Sequence, residues 1–192
     1  MNKNCRFFLF SWMALVTSAP GAATDTYLID SMHSMPSFAY KHLDFSTFRG
    51  RFDKISGVIT LDSVGHTGTA DVTIEVRSVS TGVPMLDEFL RSPKFFDAAK
   101  FPSITFKSGT FMFNGDKLAS VIGDLTVHGV TKSVALDVVF VACHQHQLLK
   151  VPACGADART TIRRSDFGLA MFIPNDSDEV TLEIGVEALK KE

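Results

Sequence analysis

Leu90 to Val134 reads LRSPKFFDAAKFPSITFKSGTFMFNGDKLASVIGDLTVHGVTKSV, and its periodicity changes partway along. From Leu90 to Ala99 there is no strand alternation, and Phe95 and Phe96 cluster beside charged residues. From Ile104 onward the pattern has the two-residue period of strands with one buried and one wet face, over Ile104–Phe113 and then Lys117–Val127. Asn114-Gly115 is a strong hairpin signal between them, and His128-Gly129 is a weaker one. An aromatic, partly helical excursion set into a run of strands suggests a lid over something hollow.

The rest of the chain continues the strand pattern. Thr69–Ser78 alternates Ala70, Val72, Ile74 and Val76 against Asp71, Thr73, Glu75 and Arg77. Val180–Ala188 alternates Val180, Leu182, Ile184 and Val186 against Thr181, Glu183 and Glu187. Weaker alternation marks Tyr27–Asp30, Ser37–Leu43, Gly57–Leu61, Lys132–Ala142 and Ala156–Arg164. About nine strands joined by short connections predict an all-β, antiparallel meander closed into a barrel of about eight strands. The exception is Pro84–Ala99, where Met85, Leu86, Phe89 and Leu90 follow helical spacing and Phe96 extends it. Pro93 interrupts that run and Pro102 ends it, which predicts one or two short helical turns as the lid.

Residues 1–23 read as a secretory signal peptide. Lys3 and Arg6 give it a positive start, Phe7–Val16 is an apolar run too short to span a bilayer, and Gly21 and Ala23 suit cleavage after Ala23. Cys5 precedes the apolar run, where a lipid-anchoring cysteine would have to follow it. The expected product is a single domain, residues 24–192, in the periplasm. The whole chain carries a formal charge of −2, and loss of Lys3 and Arg6 makes the exported part more acidic. A mildly acidic domain without a basic block is a poor partner for nucleic acid or an anionic membrane, and stable membrane insertion is not expected. Trp12, the single tryptophan, leaves with the signal, whereas most of the 17 phenylalanines stay. Cys143 and Cys154 are the two cysteines that remain, and in an oxidising compartment an even pair predicts a disulfide. Closing so short a loop is worth roughly 2–3 kcal/mol by restricting the unfolded chain. His144 and His146 beside Cys143 raise a metal site as the alternative, but the spacing fits no closed zinc pattern. No metal or cofactor is expected.

Several motifs occur together and in order: YLIDSMHSMPSFAYKHL (Tyr27–Leu43), FRGRFDKISGVITLD (Phe48–Asp62), LRSPKFFDAAKFPSITFKS (Leu90–Ser108), GDLTVHGVTKSV (Gly123–Val134), IRRSDFGL (Ile162–Leu169) and DEVTLEIGVEA (Asp178–Ala188). In these the chain resembles the YceI-like family of exported lipocalin-like proteins over nearly its whole mature length. The resemblance implies an extended antiparallel barrel with a helical segment near one end. It also implies an elongated interior channel for long apolar molecules, polyisoprenoid chains in particular, with fatty-acid-like amphiphiles and stress responses associated with other members. A homodimer is compatible with the family. The chain departs from the common pattern at Phe89, where many members place a histidine, and at Val83-Pro84, which replaces a more polar stretch. Both changes make the lid more apolar.

A channel for such a chain needs apolar walls, a bore one chain wide and a polar mouth. The wall candidates are Phe38, Tyr40, Phe48, Phe52, Ile74, Leu86, Phe89, Leu90, Phe95, Phe96, Phe106, Phe113, Leu125, Phe140 and Phe167. The lid residues Phe89, Phe95 and Phe96 lead that set; the competing role of each member is packed core. The polar head-group candidates are His33, His42, Asp87, Arg91 and Arg164. Asp87 and Arg91, four apart, could pair on a helical turn, or Arg91 could hold a phosphate or carboxylate. There is no G-x-S-x-G elbow, HExxH motif, P-loop or dinucleotide fingerprint. The expectation is a non-enzymatic carrier or sequestering protein. The alternatives are an enzyme acting on a quinone or lipid head group, and a stress-protective protein whose barrel is filled by its own side chains.

Overall fold

The computed structural model describes residues 24–191; the segment read as a signal peptide, residues 1–23, lies outside them. Eleven strands occur in one sheet: β1 Asp25–Ile29, β2 Met35–His42, β3 Ser46–Phe52, β4 Ile55–Asp62, β5 Thr67–Glu75, β6 Val79–Ser80, β7 Ser103–Asn114, β8 Lys117–Val127, β9 Val130–Gln145, β10 Pro152–Arg163 and β11 Asp176–Lys190. One helix, α1, spans Pro84–Arg91, and short 3₁₀ turns occupy Val76–Ser78 and Arg164–Phe167.

The registers resolve these pieces into eight long strands. Along β11, Ile29 of β1 pairs with Ala188 and Met35 of β2 with Gly185, so β1 and β2 are two halves of one strand. Likewise β3 pairs with β2 while β4 pairs with β1, and β6 pairs with β3 while β5 pairs with β4. Every pairing is antiparallel, and β1 against β11 closes the ring. This is an up-and-down barrel of eight strands, as the alternation predicts.

Sequence and structure differ where the period is broken. β3 and β6 lie outside the strands expected from the alternation. β3 does alternate Phe48, Gly50 and Phe52 inward against Arg49 and Arg51, but Gly50 interrupts the apolar series. Val76–Ser78, expected as the end of a strand, is a 3₁₀ turn linking the collinear β5 and β6. β9 and β10 run further than expected, to a turn stapled by the Cys143–Cys154 disulfide. These cysteines face each other across the β9–β10 register, so the thiolates a metal would need are already joined. The turn at His128-Gly129 has positive φ at both residues, 51° and 78°, which suits a two-residue hairpin.

The helical part of the lid is short, as the prolines predict. Pro84 opens α1 at its first turn, where a missing N–H costs nothing, and the chain leaves the helix at Ser92, just before Pro93. Asp87 and Arg91 do not pair with each other. The Asp87 carboxylate is buried and accepts from the Thr81 N–H (2.7 Å) and hydroxyl (2.6 Å). Arg91 instead donates to the carbonyls of Arg77 (2.9 Å) and Val79 (2.7 Å), which ties the helix to the 3₁₀ turn and β6. Both residues anchor the lid.

Candidate functional site: a hollow apolar barrel

The barrel is not filled by its own side chains. Its interior holds a cavity of about 560 Å³, within the range of small-molecule sites. The cavity runs from His42, Phe89, Met171 and Phe172 at the helical end to Leu61, Val141 and the Cys143–Cys154 disulfide at the other. Inward faces of the strands line it: Ala70, Val72 and Ile74 from β5, and Val180, Leu182, Ile184 and Val186 from β11. An interior of this size stays open because the walls alternate large residues with small ones. Phe38 lies directly over Gly50, its partner across the β2–β3 register, and a Cβ at Gly50 would come within 2.3 Å of the Phe38 ring. Phe111 lies similarly against Gly68.

The lid joins this wall through a chain of aromatic rings. Phe172 lies 5.8 Å from Phe89, Phe89 6.0 Å from Phe95, Phe95 5.0 Å from Phe96, Phe96 5.9 Å from Phe52, and Phe52 5.8 Å from Phe38. Tilted and edge-on contacts of this kind are the favourable aromatic geometries. They carry a continuous apolar surface from the rim at Phe172 down to the strand wall.

Most of the expected wall residues do line the cavity: Phe38, Tyr40, Phe48, Phe52, Ile74, Leu86, Phe89, Leu90, Phe95, Phe96, Phe106, Leu125 and Phe167. Phe140 does not. Val139 is an extra residue at a β-bulge in β9, so Val138 and Val141 face inward while Phe140 pairs beside Asp157 on the outer surface, 55% exposed. Phe113 also lies outside the lining and stacks on His66 at the far end of β7 (4.8 Å). The register shift between Lys107 and Thr110 brings Phe111 into the wall. A bulge inverts every inside-outside assignment beyond it.

Of the polar candidates, His42 and Arg164 reach the cavity. His33 does not: it is exposed in the β1–β2 connection, with Nδ1 2.7 Å from the Asp30 carboxylate. Asp87 and Arg91 lie outside the cavity lining and anchor the lid as described. Tyr40 and Asp176 complete the polar group at the helical end. Burial, reinforced by the negative charge of Asp176, raises the Tyr40 phenol above its ordinary value. His42 Nε2 lies 3.9 Å from the Asp176 carboxylate, which also accepts from the Leu43 N–H at 3.3 Å. Arg164 is buried and donates to four backbone carbonyls: Leu169 (2.6 Å), Met171 (2.7 Å), Ser177 (2.9 Å) and Asp176 (3.4 Å). It organises the connection that carries Met171 and Phe172 and leads into Asp176 at the start of β11. That connection has no strand period, so its wall residues have no signal in the alternation.

The Arg164–Phe167 turn is held to β11 by Asp178, which accepts from the Ser165 N–H (2.9 Å), the Ser165 hydroxyl (2.7 Å) and Arg163 (3.0 Å). Burial opposes ionisation of Asp178, but these donors outweigh it and hold the carboxyl below its ordinary value. Among the described residues no helix is long and apolar enough to cross a membrane.

The YceI-like domain family matches residues 27–188 of this chain. Protein YceI of Salmonella agona is 32% identical, with both chains covered over 100% of their length. The crystal structure of Campylobacter jejuni YceI superposes with a TM-score of 0.67 at 31% identity, covering 79% of this chain and 90% of that one. A polyisoprenoid binding domain from Saccharophagus degradans, at 19% identity, shares the fold with a TM-score of 0.65 over 86% of this chain and 98% of that one. A closed eight-stranded barrel, the ordered motifs and these likenesses agree: the chain belongs to the YceI-like family.

Proposed function

We propose that this protein is a non-enzymatic periplasmic binding protein that carries or sequesters one long-chain isoprenoid, or a related amphiphile, inside the barrel. The observation that carries this reading is the continuous apolar cavity along the barrel, with Tyr40, His42, Arg164 and Asp176 grouped at its helical end and only the Tyr27 phenol among polar rings at the other. Each methylene moved from water into such a bore contributes roughly 0.8 kcal/mol, so a long chain binds without any specific polar contact. Tyr40 and His42 then meet the polar head beside the Arg164 that holds the rim in place, and the tail runs toward the disulfide. The likeness to a domain known to bind polyisoprenoids supports the chemical class of the cargo, and the signal-like N-terminus supports the compartment. The polar groups at the cavity are already engaged in structure, Arg164 by carbonyls and Asp176 by Leu43, which favours binding over catalysis.

Phe89→Asp and Phe96→Asp test this reading. Each places a carboxylate among the lid's aromatic rings, facing the cavity. Both variants are expected to lose uptake of a fluorescent isoprenoid by more than about tenfold, a larger effect than their loss of thermal stability, and the buried Phe96 position is expected to lose more stability than the half-buried Phe89. Unchanged uptake would remove the cavity as the binding site. Parallel loss of uptake and fold would return the two residues to the core.

A further inference from the structure

The helical end of the barrel carries large apolar side chains that the fold does not use. Phe45, at the tip of the β2–β3 turn, is 89% exposed, and Met85, in the first turn of α1, is 79% exposed. Leu43, Met171 and Phe172 are exposed as well. These residues come from three separate segments, and specific contacts bring the segments together. Asp176 accepts from the Leu43 N–H, and the Phe172 carbonyl accepts from the Asp176 N–H at 2.9 Å. Phe172 in turn packs on Phe89, which shares a helix face with Met85 four residues earlier. The β2–β3 turn itself has a bulky Leu43 and Asp44 at φ of 49° and 57°, a conformation that glycine or asparagine would occupy at less cost.

Met171 and Phe172 belong to this surface and to the cavity lining alike, so the patch is continuous with the interior. Lys41 and Arg49 flank it from the outer faces of β2 and β3, while Asp44 and Glu88 balance them, so no single sign of charge dominates the rim. A balanced rim around aromatic and thioether side chains suits the interfacial layer of a bilayer, into which such groups insert by their apolar area.

We propose that this end of the barrel is a docking surface for a lipid bilayer, with Phe45, Met85 and Phe172 entering the head-group layer. In that pose the cavity opens toward the acyl chains, and a long apolar cargo passes between membrane and barrel without crossing water. The proposal rests on the cargo reading above for its purpose, but it is tested separately.

The test is flotation of the mature, delipidated protein with two kinds of vesicle: pure phosphatidylcholine, and phosphatidylethanolamine with phosphatidylglycerol. The wild type is expected to co-float with phosphatidylcholine and, given its acidic charge, more weakly with the anionic mixture. The double variant Phe45→Ser/Met85→Ser is expected to lose co-flotation by at least about tenfold. It should retain its melting temperature and its uptake of a fluorescent isoprenoid added from ethanol, since neither residue lines the cavity. Phe140→Ser, on the outer wall of the barrel, should float like the wild type. The proposal is overturned if the wild type floats with neither vesicle, if the double variant floats normally, or if Phe140→Ser loses flotation equally. It is also overturned if sedimentation shows that the patch joins two copies of the chain and the double variant separates them. Flotation without uptake from ethanol would instead sink the cargo reading and leave the docking surface standing.

Discussion

At the residue scale, the cavity depends on what is missing at Gly50. Phe38 occupies the space that any larger side chain there would need, and the three atoms nearest a Cβ at that position all belong to its ring. In Gly50→Ala the ring has to swing into the bore. The expected outcome is a barrel that folds and keeps its near-ultraviolet signature but takes up long-chain ligand several-fold more weakly, by fluorescence titration. Affinity equal to that of wild type would mean that the ring does not border the occupied part of the cavity. His33 makes a second prediction, away from the site. Its hydrogen bond to Asp30 holds the imidazole above its ordinary value of 6.5 and the carboxyl below 3.8. The histidine's contribution is complete below its unfolded value and is lost as pH rises through the raised folded one; the aspartate's is complete above its unfolded value and is lost as pH falls. The pair therefore stabilises most between pH 3.8 and 6.5. An NMR titration should show His33 protonating above the free-histidine value, and Asp30→Asn should bring it back.

At the scale of elements, the staple and the bulges decide how far the barrel extends and which side chains face inward. The Cys143–Cys154 link joins β9 to β10 beside the turn and lines the far end of the cavity. Its loss in Cys143→Ser/Cys154→Ser is expected to cost roughly 2–3 kcal/mol by chemical denaturation, while uptake at the helical end persists. Collapse of uptake with the fold intact would mean that the tail end of the channel is the essential part. The same elements explain what the sequence reveals. β5 and, from Val180 onward, β11 are regular, so their inward faces are plain from alternation alone. β9 contains an extra Val139, and nothing local distinguishes Phe140 from the inward residues before it; only the register with β10 does. Phe111 is hidden by the corresponding shift in β7. Asp87 and Arg91 have the spacing of a helical pair, yet each finds a better partner in the segment before the helix, at Thr81 and at the Arg77 and Val79 carbonyls. Met171 and Phe172 lie in a connection positioned by a buried arginine and without periodicity, and Asp176 opens β11 ahead of a register shift, so only the folded chain reveals them.

At the scale of the molecule, the features form one object: a closed barrel, hollow along its axis, with an aromatic lid and polar groups at one end. The β1–β11 pairing closes the body of the barrel, and the cavity adds apolar surface that a packed core would have buried. An empty bore of this kind forgoes contacts, and a bound chain restores them, so ligand and stability are linked. The most direct test is native mass spectrometry of the mature protein purified gently from the cells that make it, followed by organic extraction. The account predicts one long-chain lipid per barrel, released on extraction, with a lower melting temperature afterwards. A protein that carries no cargo even from lipid-supplemented preparations, and whose stability extraction does not change, would contradict it.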